Sequence, residues 1–175
     1  PGALFVAVRG FASDGHSFIA TAVEKGAAAI VFDDREAALA QLESCPEKRV
    51  TLVHVESSRY ALAIAAANFY DNPSHKLTLV GITGTNGKTT TVTLLHRMFT
   101  ALGYSCGLLS TIANYVGMKG EEAVNTTSDP LTINSLLAKM VDAGCGYCFM
   151  EVSSIGVEQE RIAGLKFKVG IFSNL

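Results

Sequence analysis

A glycine-rich segment, Gly84-Thr85-Asn86-Gly87-Lys88-Thr89-Thr90, carries the residue types of a phosphate-binding loop. Glycines let a backbone turn its N–H groups toward one point, and the N-terminus of a following helix adds a partial positive charge there. A lysine in this setting suits the β- and γ-phosphates of a nucleotide, and the threonine after it suits Mg²⁺. The segment therefore predicts binding of ATP with Mg²⁺, with all seven residues as nucleotide ligands and Thr89 as a metal ligand.

The loop departs from the strict phosphate-loop pattern at one position. That pattern has a glycine five residues before Gly87, where this chain has Ile82. A glycine turn with an incidental lysine is the alternative interpretation. The order of predicted strand, loop, Gly-Lys-Thr and predicted helix favours the nucleotide site.

The elements that position this loop alternate between strands and helices, which is typical of an α/β fold with a mainly parallel sheet. The sequence Asp71-Asn72-Pro73-Ser74 is the clearest break, and it predicts a small N-terminal α/β domain over residues 1–75 and a P-loop ATPase domain over residues 76–175. The predicted strands are 4–8, 29–32, 50–55, 77–83, 105–109, 114–118, 147–152 and 169–173; the predicted helices are 16–25, 36–43, 58–70, 88–102, 130–143 and 157–162.

Composition excludes several classes of protein. The 175 residues have a formal net charge of -2, with 49% hydrophobic and 17% charged residues, so a basic nucleic-acid surface and a disordered tail are both excluded. No apolar stretch is long enough to span a bilayer. Four cysteines without a dense framework fit a reducing cytosol, and Cys145-x-x-Cys148, lacking a second pair, is interpreted as small core residues. The absence of an initiator Met, and an end directly after a predicted strand, predict that the chain is part of a longer protein.

Three segments together resemble the Mur ligases, the ATP-dependent amide-bond-forming enzymes of peptidoglycan synthesis. The first is the loop string from Thr83 to Thr90. The other two, Asn125-Thr126-Thr127-Ser128-Asp129-Pro130 and Met150-Glu151-Val152-Ser153-Ser154, resemble motifs of the UDP-N-acetylmuramoyl-tripeptide synthetases. The N-terminal segments 2–19 and 26–31 are also similar to that family, so the resemblance covers nearly the whole chain.

The resemblance implies a reaction and a set of site residues. Family members use ATP to phosphorylate the glutamate side chain of UDP-N-acetylmuramoyl-L-alanyl-D-glutamate, and the amine of meso-diaminopimelate or lysine then displaces the phosphate. By resemblance, Lys88 and Glu151 are catalytic, and Thr89 and Glu151 hold Mg²⁺. The loop from 11 to 16 would lie near the UDP end. The residues that would contact the muramoyl-dipeptide are Asn125, Thr126, Thr127, Ser153, Gln159 and Arg161.

The resemblance also implies a setting, and it leaves alternatives open. A bacterial cytoplasmic monomer is expected, without a nucleic-acid or membrane partner, and residues 1–175 alone are not expected to complete the ligation. Ile155 stands where the family usually has histidine, so a proton or hydrogen-bond role at that position is in doubt. The alternatives are another Mur-like ligase, of the folylpolyglutamate or D-alanyl-D-alanine-adding type, and a nucleotide-binding module without ligase chemistry.

Overall fold

The computed structural model describes residues 1–10, 13–45, 49–123 and 125–174. The chain folds into two compact units, Pro1–Leu62 and Ala63–Leu175. The division falls within a helix that begins at Ser58 and ends at Phe69, whereas the sequence break lies at residues 71–74. The boundary near residue 75 stays a prediction.

The first unit is built on a parallel sheet of three strands in the order β1-β2-β3. Ala7, Ile19, Val23, Ile30, Phe32 and Ala38 form its buried apolar core. Its elements are β1 (Leu4–Val6), a 3-10 helix (Gly15–Phe18), α1 (Ile19–Glu24), β2 (Ala29–Phe32), α2 (Arg35–Leu42), β3 (Thr51–His54) and the start of α3 (Ser58–Phe69).

The second unit contains a six-stranded sheet in the order β7-β6-β5-β8-β4-β9. The pairs of β5, β8, β4 and β9 are parallel, and only the β5-β6 and β6-β7 pairs are antiparallel. Its elements are a 3-10 helix (Pro73–His75), β4 (Thr78–Thr83), α4 (Lys88–Ala101), β5 (Cys106–Leu109), β6 (Ala113–Val116), β7 (Lys119–Glu122), α5 (Pro130–Asp142), β8 (Tyr147–Glu151), α6 (Ser154–Glu158) and β9 (Phe167–Phe172). The predicted mainly parallel α/β fold is confirmed.

The central strands of this sheet are mainly apolar, as expected of parallel strands that are covered on both faces. On β8, Phe149 joins one buried cluster with Val92 of α4, whereas its neighbour Met150 joins another with Leu137 of α5. Side chains on a strand alternate between faces, so α4 and α5 lie on opposite sides of the sheet. Cys145 and Cys148 are buried in the cluster with α5, which confirms that they are core residues.

Several helices begin at a side chain that accepts a hydrogen bond from the first turn. Asp129 Oδ1 accepts from Thr132 N at 3.0 Å at the start of α5, where Pro130 occupies the first helical position. Ser57 Oγ accepts from Tyr60 N at 3.1 Å at the start of α3. Among the described residues, no helix combines the length and the apolar character needed to cross a bilayer.

One predicted helix has the wrong bounds, and one strand was not predicted. The short helix expected at residues 157–162 is α6, Ser154–Glu158, because Ser153 Oγ accepts from Gly156 N at 3.0 Å and begins the helix earlier. The strand β7 was not predicted, since its sequence Lys-Gly-Glu-Glu is charged and exposed. A two-residue turn connects it to β6, with Gly117 at φ 59°, as hairpin turns of this kind require.

Candidate active site

The predicted nucleotide loop and the predicted acidic residue meet at one edge of the six-stranded sheet. Because β4, β5, β8 and β9 are parallel, their carboxyl ends lie side by side, which is where ligands bind in open α/β sheets. The loop follows β4, Glu151 ends β8, Thr111 lies just after β5, and Asn174 just after β9. Four segments far apart in sequence therefore form one site.

The loop after β4 turns at two glycines with positive φ. Gly84 has φ 133° and Gly87 has φ 83°, conformations that L side chains rarely adopt. Gly87 immediately precedes α4, a helix of 14 residues. The backbone of the loop therefore lies at the N-terminus of that helix, which carries a partial positive charge. Thr85, Asn86 and Gly87 are exposed, and Thr90 is exposed in the first turn of α4. This geometry suits phosphate oxygens approaching from solvent.

The Lys88 ammonium lies over the loop. Its Nζ donates to Gly84 O at 2.6 Å and to Thr85 O at 3.2 Å. An ammonium has three N–H donors, so these two bonds leave one for another acceptor. The side chain is thus held beside the loop, in reach of an anion that the loop would bind.

Ser173 and Asn174, which follow β9, form hydrogen bonds with the same loop, and the sequence analysis did not predict this role for them. Asn174 O and Oδ1 accept from the loop amides of Thr85 and Asn86 at 3.3 and 3.0 Å. In return, Ser173 Oγ donates to Asn86 O at 2.7 Å, and Asn174 Nδ2 donates to the same oxygen at 3.1 Å. A side chain at Gly84 would collide with these two residues, so glycine is needed there for packing as well as for φ.

Glu151 is fully buried at the carboxyl end of β8, and three hydrogen bonds hold its carboxylate. Thr89 Oγ1 donates to Oε2 at 3.0 Å across 62 residues of sequence. Thr111 donates twice, from its amide to Oε1 at 2.9 Å and from its hydroxyl to Oε2 at 3.1 Å. Sequence reasoning missed Thr111, although a hydroxyl residue directly after a predicted strand at this edge was an available signal.

The donor set around Thr89 and Glu151 fits Mg²⁺. Mg²⁺ prefers oxygen ligands and usually takes one or two from the protein, completing its shell with phosphate oxygens and water. Among the described residues no group of three or more His, Cys, Asp and Glu side chains could hold a metal. The Thr89 hydroxyl and the Glu151 carboxylate, which are in contact at 3.0 Å beside the predicted nucleotide loop, would give Mg²⁺ the one or two protein oxygens that it usually takes.

The predicted dipeptide-binding residues lie against the same strand, but several of their side chains already have partners. Thr127 Oγ1 donates to Glu151 O at 3.1 Å and accepts from Ser153 N at 2.9 Å. Arg161 donates from NH1 to Thr127 O at 2.6 Å and from Nε and NH2 to Gln159 Oε1. These three bonds use three of the five guanidinium N–H donors.

The remaining predicted substrate residues are more accessible. Asn125 is exposed, and Thr126 is half-buried with its hydroxyl oxygen 3.1 Å from that of Thr111. Hydrogen bonds therefore connect Ser153, Gln159 and Arg161 to Glu151 through Thr127, and Thr126 to Glu151 through Thr111, whereas Asn125 has no such bond among those described. Their roles toward substrate stay predictions.

The predicted UDP-side loop lies in the first unit. Residues 11 and 12 lie outside the described part of the chain, and His16 is buried. His16 Nδ1 lies 2.6 Å from Asp14 Oδ1, and His16 Nε2 accepts from Asp34 N at 3.2 Å. Hydrogen bonds from the His16 amide and ring, together with Arg9, lower the pKa of Asp14 to about 2. His16 thus serves the packing of this unit.

Residues 82–175 match the Mur ligase middle domain, and residues 1–70 match the Mur ligase family, catalytic domain. The first match alone covers more than half of the chain. The chain belongs to the Mur ligase family.

Relatives of this Mur ligase chain are considerably longer than it. The chain is 55% identical over 174 residues to the UDP-N-acetylmuramoyl-L-alanyl-D-glutamate--2,6-diaminopimelate ligase of Cytophaga hutchinsonii. That alignment covers 99% of the chain and 35% of the relative, so the chain spans about a third of the curated relatives that it matches.

Two solved structures share the fold. A UDP-N-acetylmuramoyl-L-alanyl-D-glutamate--2,6-diaminopimelate ligase aligns with a TM-score of 0.77 at 20% identity, covering 100% of this chain and 34% of its own. The MurF ligase from Thermotoga maritima, solved in complex with ADP, aligns with a TM-score of 0.54 at 24% identity. This alignment covers 99% of this chain and 34% of the MurF ligase chain. At these identities the likeness extends to the fold.

Ile155 departs from the Mur ligase pattern in α6. Its side chain is half exposed, directly after the turn that carries Ser153 and Ser154. An isoleucine at this position neither donates nor accepts hydrogen bonds, so this chain has no side-chain proton donor there. Glu151 and Thr127 nevertheless keep their contacts with each other.

Proposed function

We propose that the complete protein is an ATP-dependent ligase that adds diaminopimelate to UDP-N-acetylmuramoyl-L-alanyl-D-glutamate in bacterial peptidoglycan synthesis. The observation that carries the proposal is the 3.0 Å contact between Thr89 of the loop and Glu151 of β8. It brings a phosphate loop and a buried carboxylate together at the edge of the sheet where ligands bind. The name of the 55% identical relative supports the substrates and favours diaminopimelate over lysine.

The reaction needs an activated acid because a carboxylate is a poor electrophile. The γ-phosphoryl group of ATP would pass to an oxygen of the glutamate side chain, giving an acyl phosphate and ADP. The amine of diaminopimelate would then attack the acyl carbon, and phosphate would leave with the oxygen as the amide forms. Both steps bring anions together, so catalysis is mainly positioning and charge neutralisation.

Each residue of the site has a role in this proposal. The Lys88 ammonium and the backbone amides at the start of α4, rather than the Thr85 and Asn86 amides that donate to Asn174, would hold the β- and γ-phosphates. Thr89 and Glu151 would hold Mg²⁺, which when bound would neutralise charge between the nucleotide and the acceptor carboxylate. Asn125, Thr126 and the free donors of Arg161 would orient the dipeptide. The ADP in the MurF ligase structure is consistent with ATP as the nucleotide.

The setting follows from the same proposal. Nucleotide-linked precursors of peptidoglycan are small polar molecules, so we propose a bacterial cytoplasmic enzyme that acts as a monomer. The N-terminal unit would serve the UDP end of the substrate, and the second unit would bind ATP.

The test is a ligation assay on the protein expressed from its full reading frame. Phosphate release should require ATP, Mg²⁺, the UDP-muramoyl-dipeptide and diaminopimelate together, and mass spectrometry should show the tripeptide product. Lysine in place of diaminopimelate tests the choice of amino acid, and a folate acceptor tests the alternative ligase type. Binding of ATP without any response to the dipeptide would support the nucleotide-binding module instead.

A further inference from the structure

Thr111 holds the buried Glu151 carboxylate at two points. Its amide donates to Oε1 at 2.9 Å, and its hydroxyl donates to Oε2 at 3.1 Å. A carboxylate held at both oxygens cannot rotate about its last bond without breaking one contact. Glu151 is fully buried, so a carboxylate oxygen left without its donor would carry a desolvation cost.

The bonds on Glu151 leave little free acceptor capacity. A carboxylate has about four lone-pair sites, and the three donors from Thr89 and Thr111 use one on Oε1 and two on Oε2. The remaining site is on Oε1, and the Thr111 amide on Oε1 and the Thr111 hydroxyl on Oε2 together fix the plane of the carboxylate. The direction in which Glu151 offers an oxygen to a cation is therefore set by Thr111.

Thr111 also contacts residues 125–127, which are predicted to bind the dipeptide and are here called the substrate segment. Its hydroxyl oxygen lies 3.1 Å from that of Thr126. A hydroxyl has one proton, and a carboxylate is a stronger acceptor than a neutral hydroxyl, so Thr111 gives its proton to Glu151 and accepts from Thr126. The three side chains form a directed chain of hydrogen bonds from the substrate segment to the carboxylate.

We propose that Thr111 is a positioning residue that fixes Glu151 for Mg²⁺ and couples this carboxylate to the substrate segment through Thr126. The inference rests on the proposed function, because Glu151 needs fixing only if it serves a cation. A substrate group that binds Thr126 changes what Thr126 donates to Thr111, and so changes the field at Glu151. By linkage, Mg²⁺ and the dipeptide should then each alter the affinity of the other.

The test compares Thr111→Val with Thr111→Ser in the full-length protein. Valine keeps the shape and the backbone amide but removes the hydroxyl, whereas serine keeps the hydroxyl. Calorimetry would measure the affinity for a non-hydrolysable ATP analogue with Mg²⁺ and with EDTA. We expect Thr111→Val to reduce the ratio of these two affinities by about 10-fold or more, as loss of a group that orients a metal ligand does. Thr111→Ser should restore it.

A purely structural role for Thr111 would lower both affinities alike and leave the ratio unchanged, and that result would overturn the proposal. Thr100→Val is the matched control, since the Thr100 hydroxyl donates to His96 O within α4 and should not affect the ratio. If Thr111→Val does not fold, Thr126→Val tests the same chain. It should abolish the effect of the dipeptide on Mg²⁺ affinity, and an unchanged effect would refute the coupling.

Different results would contradict the proposed function and the role of Thr111. An unmodified protein that binds the analogue equally well with and without Mg²⁺ would contradict the proposed function. An unmodified protein with strong Mg²⁺ dependence, together with an unaltered ratio in Thr111→Val, would contradict only the role of Thr111.

Discussion

Replacing Lys88 by methionine is the most direct test of the nucleotide site. Methionine keeps much of the apolar stem and removes the charge. In the structure, the ammonium donates to two neutral loop carbonyls, at 2.6 and 3.2 Å. Nucleotide binding would add a bond from the third ammonium N–H, which these two carbonyls leave available, to an ionised phosphate oxygen.

The size of the effect follows from that bond. A hydrogen bond to a charged group contributes about 1.5–3 kcal/mol, so its loss in Lys88→Met should raise the dissociation constant for Mg-ATP by about 10- to 160-fold.

Calorimetric titration with Mg-ATP measures this directly. Lys119→Met is the matched control, because Lys119 is exposed on β7, at the opposite edge of the sheet and four strands from β4. Four strand spacings amount to about 19 Å, well beyond hydrogen-bond reach. A Lys88→Met protein that binds within about threefold of the unmodified protein, with Lys119→Met as reference, would refute the reasoning.

Three further predictions concern other parts of the molecule. Gly84→Ala should weaken Mg-ATP binding by about 10-fold or more, since the new Cβ would lie 2.8 Å from Asn174 O at a φ of 133°, and calorimetry checks it. Glu151→Gln should lower the ligation rate about 100-fold yet leave nucleotide affinity in EDTA unchanged, in a steady-state assay with a parallel titration. Asp14 has a pKa lowered from 3.8 to about 2 in the folded chain, so its contribution to stability is present above about pH 4 and is lost as the pH falls toward 2. Urea unfolding at several pH values should show that the free energy of unfolding falls less steeply below about pH 4 in Asp14→Asn than in the unmodified protein. An equally steep fall would contradict this role of Asp14.

The sequence predicted many of the helices and strands well because their signals are local. The run Ala29–Phe32 is apolar and β-branched, and it forms β2 with those bounds. Likewise, Pro130 after Asp129 combines two helix-start signals, and α5 begins there. The strand β7 lacked such a signal, because pairing with β6 and a tight turn at Gly117, rather than burial, hold its charged residues in place.

The site was predicted only in part, for the same physical reason. The loop is recognisable because its glycines and lysine are adjacent in sequence. Thr111 and Asn174 have no local pattern of their own, and they reach the site through the order in which parallel strands pair. A parallel sheet brings such residues to a candidate site by placing its strand ends side by side, and no short window of sequence contains that information.

The strand order also constrains how the molecule acquires its nucleotide site during folding. The bonds that complete the site join residues 62 and 88 apart in sequence, from the loop to Glu151 and to Asn174. Closing loops of that length lowers the conformational entropy of the chain before the new contacts can offset the loss. The site should therefore form late, after the strands of the sheet have paired. A nucleotide would then bind only the finished unit, slowing its unfolding without accelerating its folding.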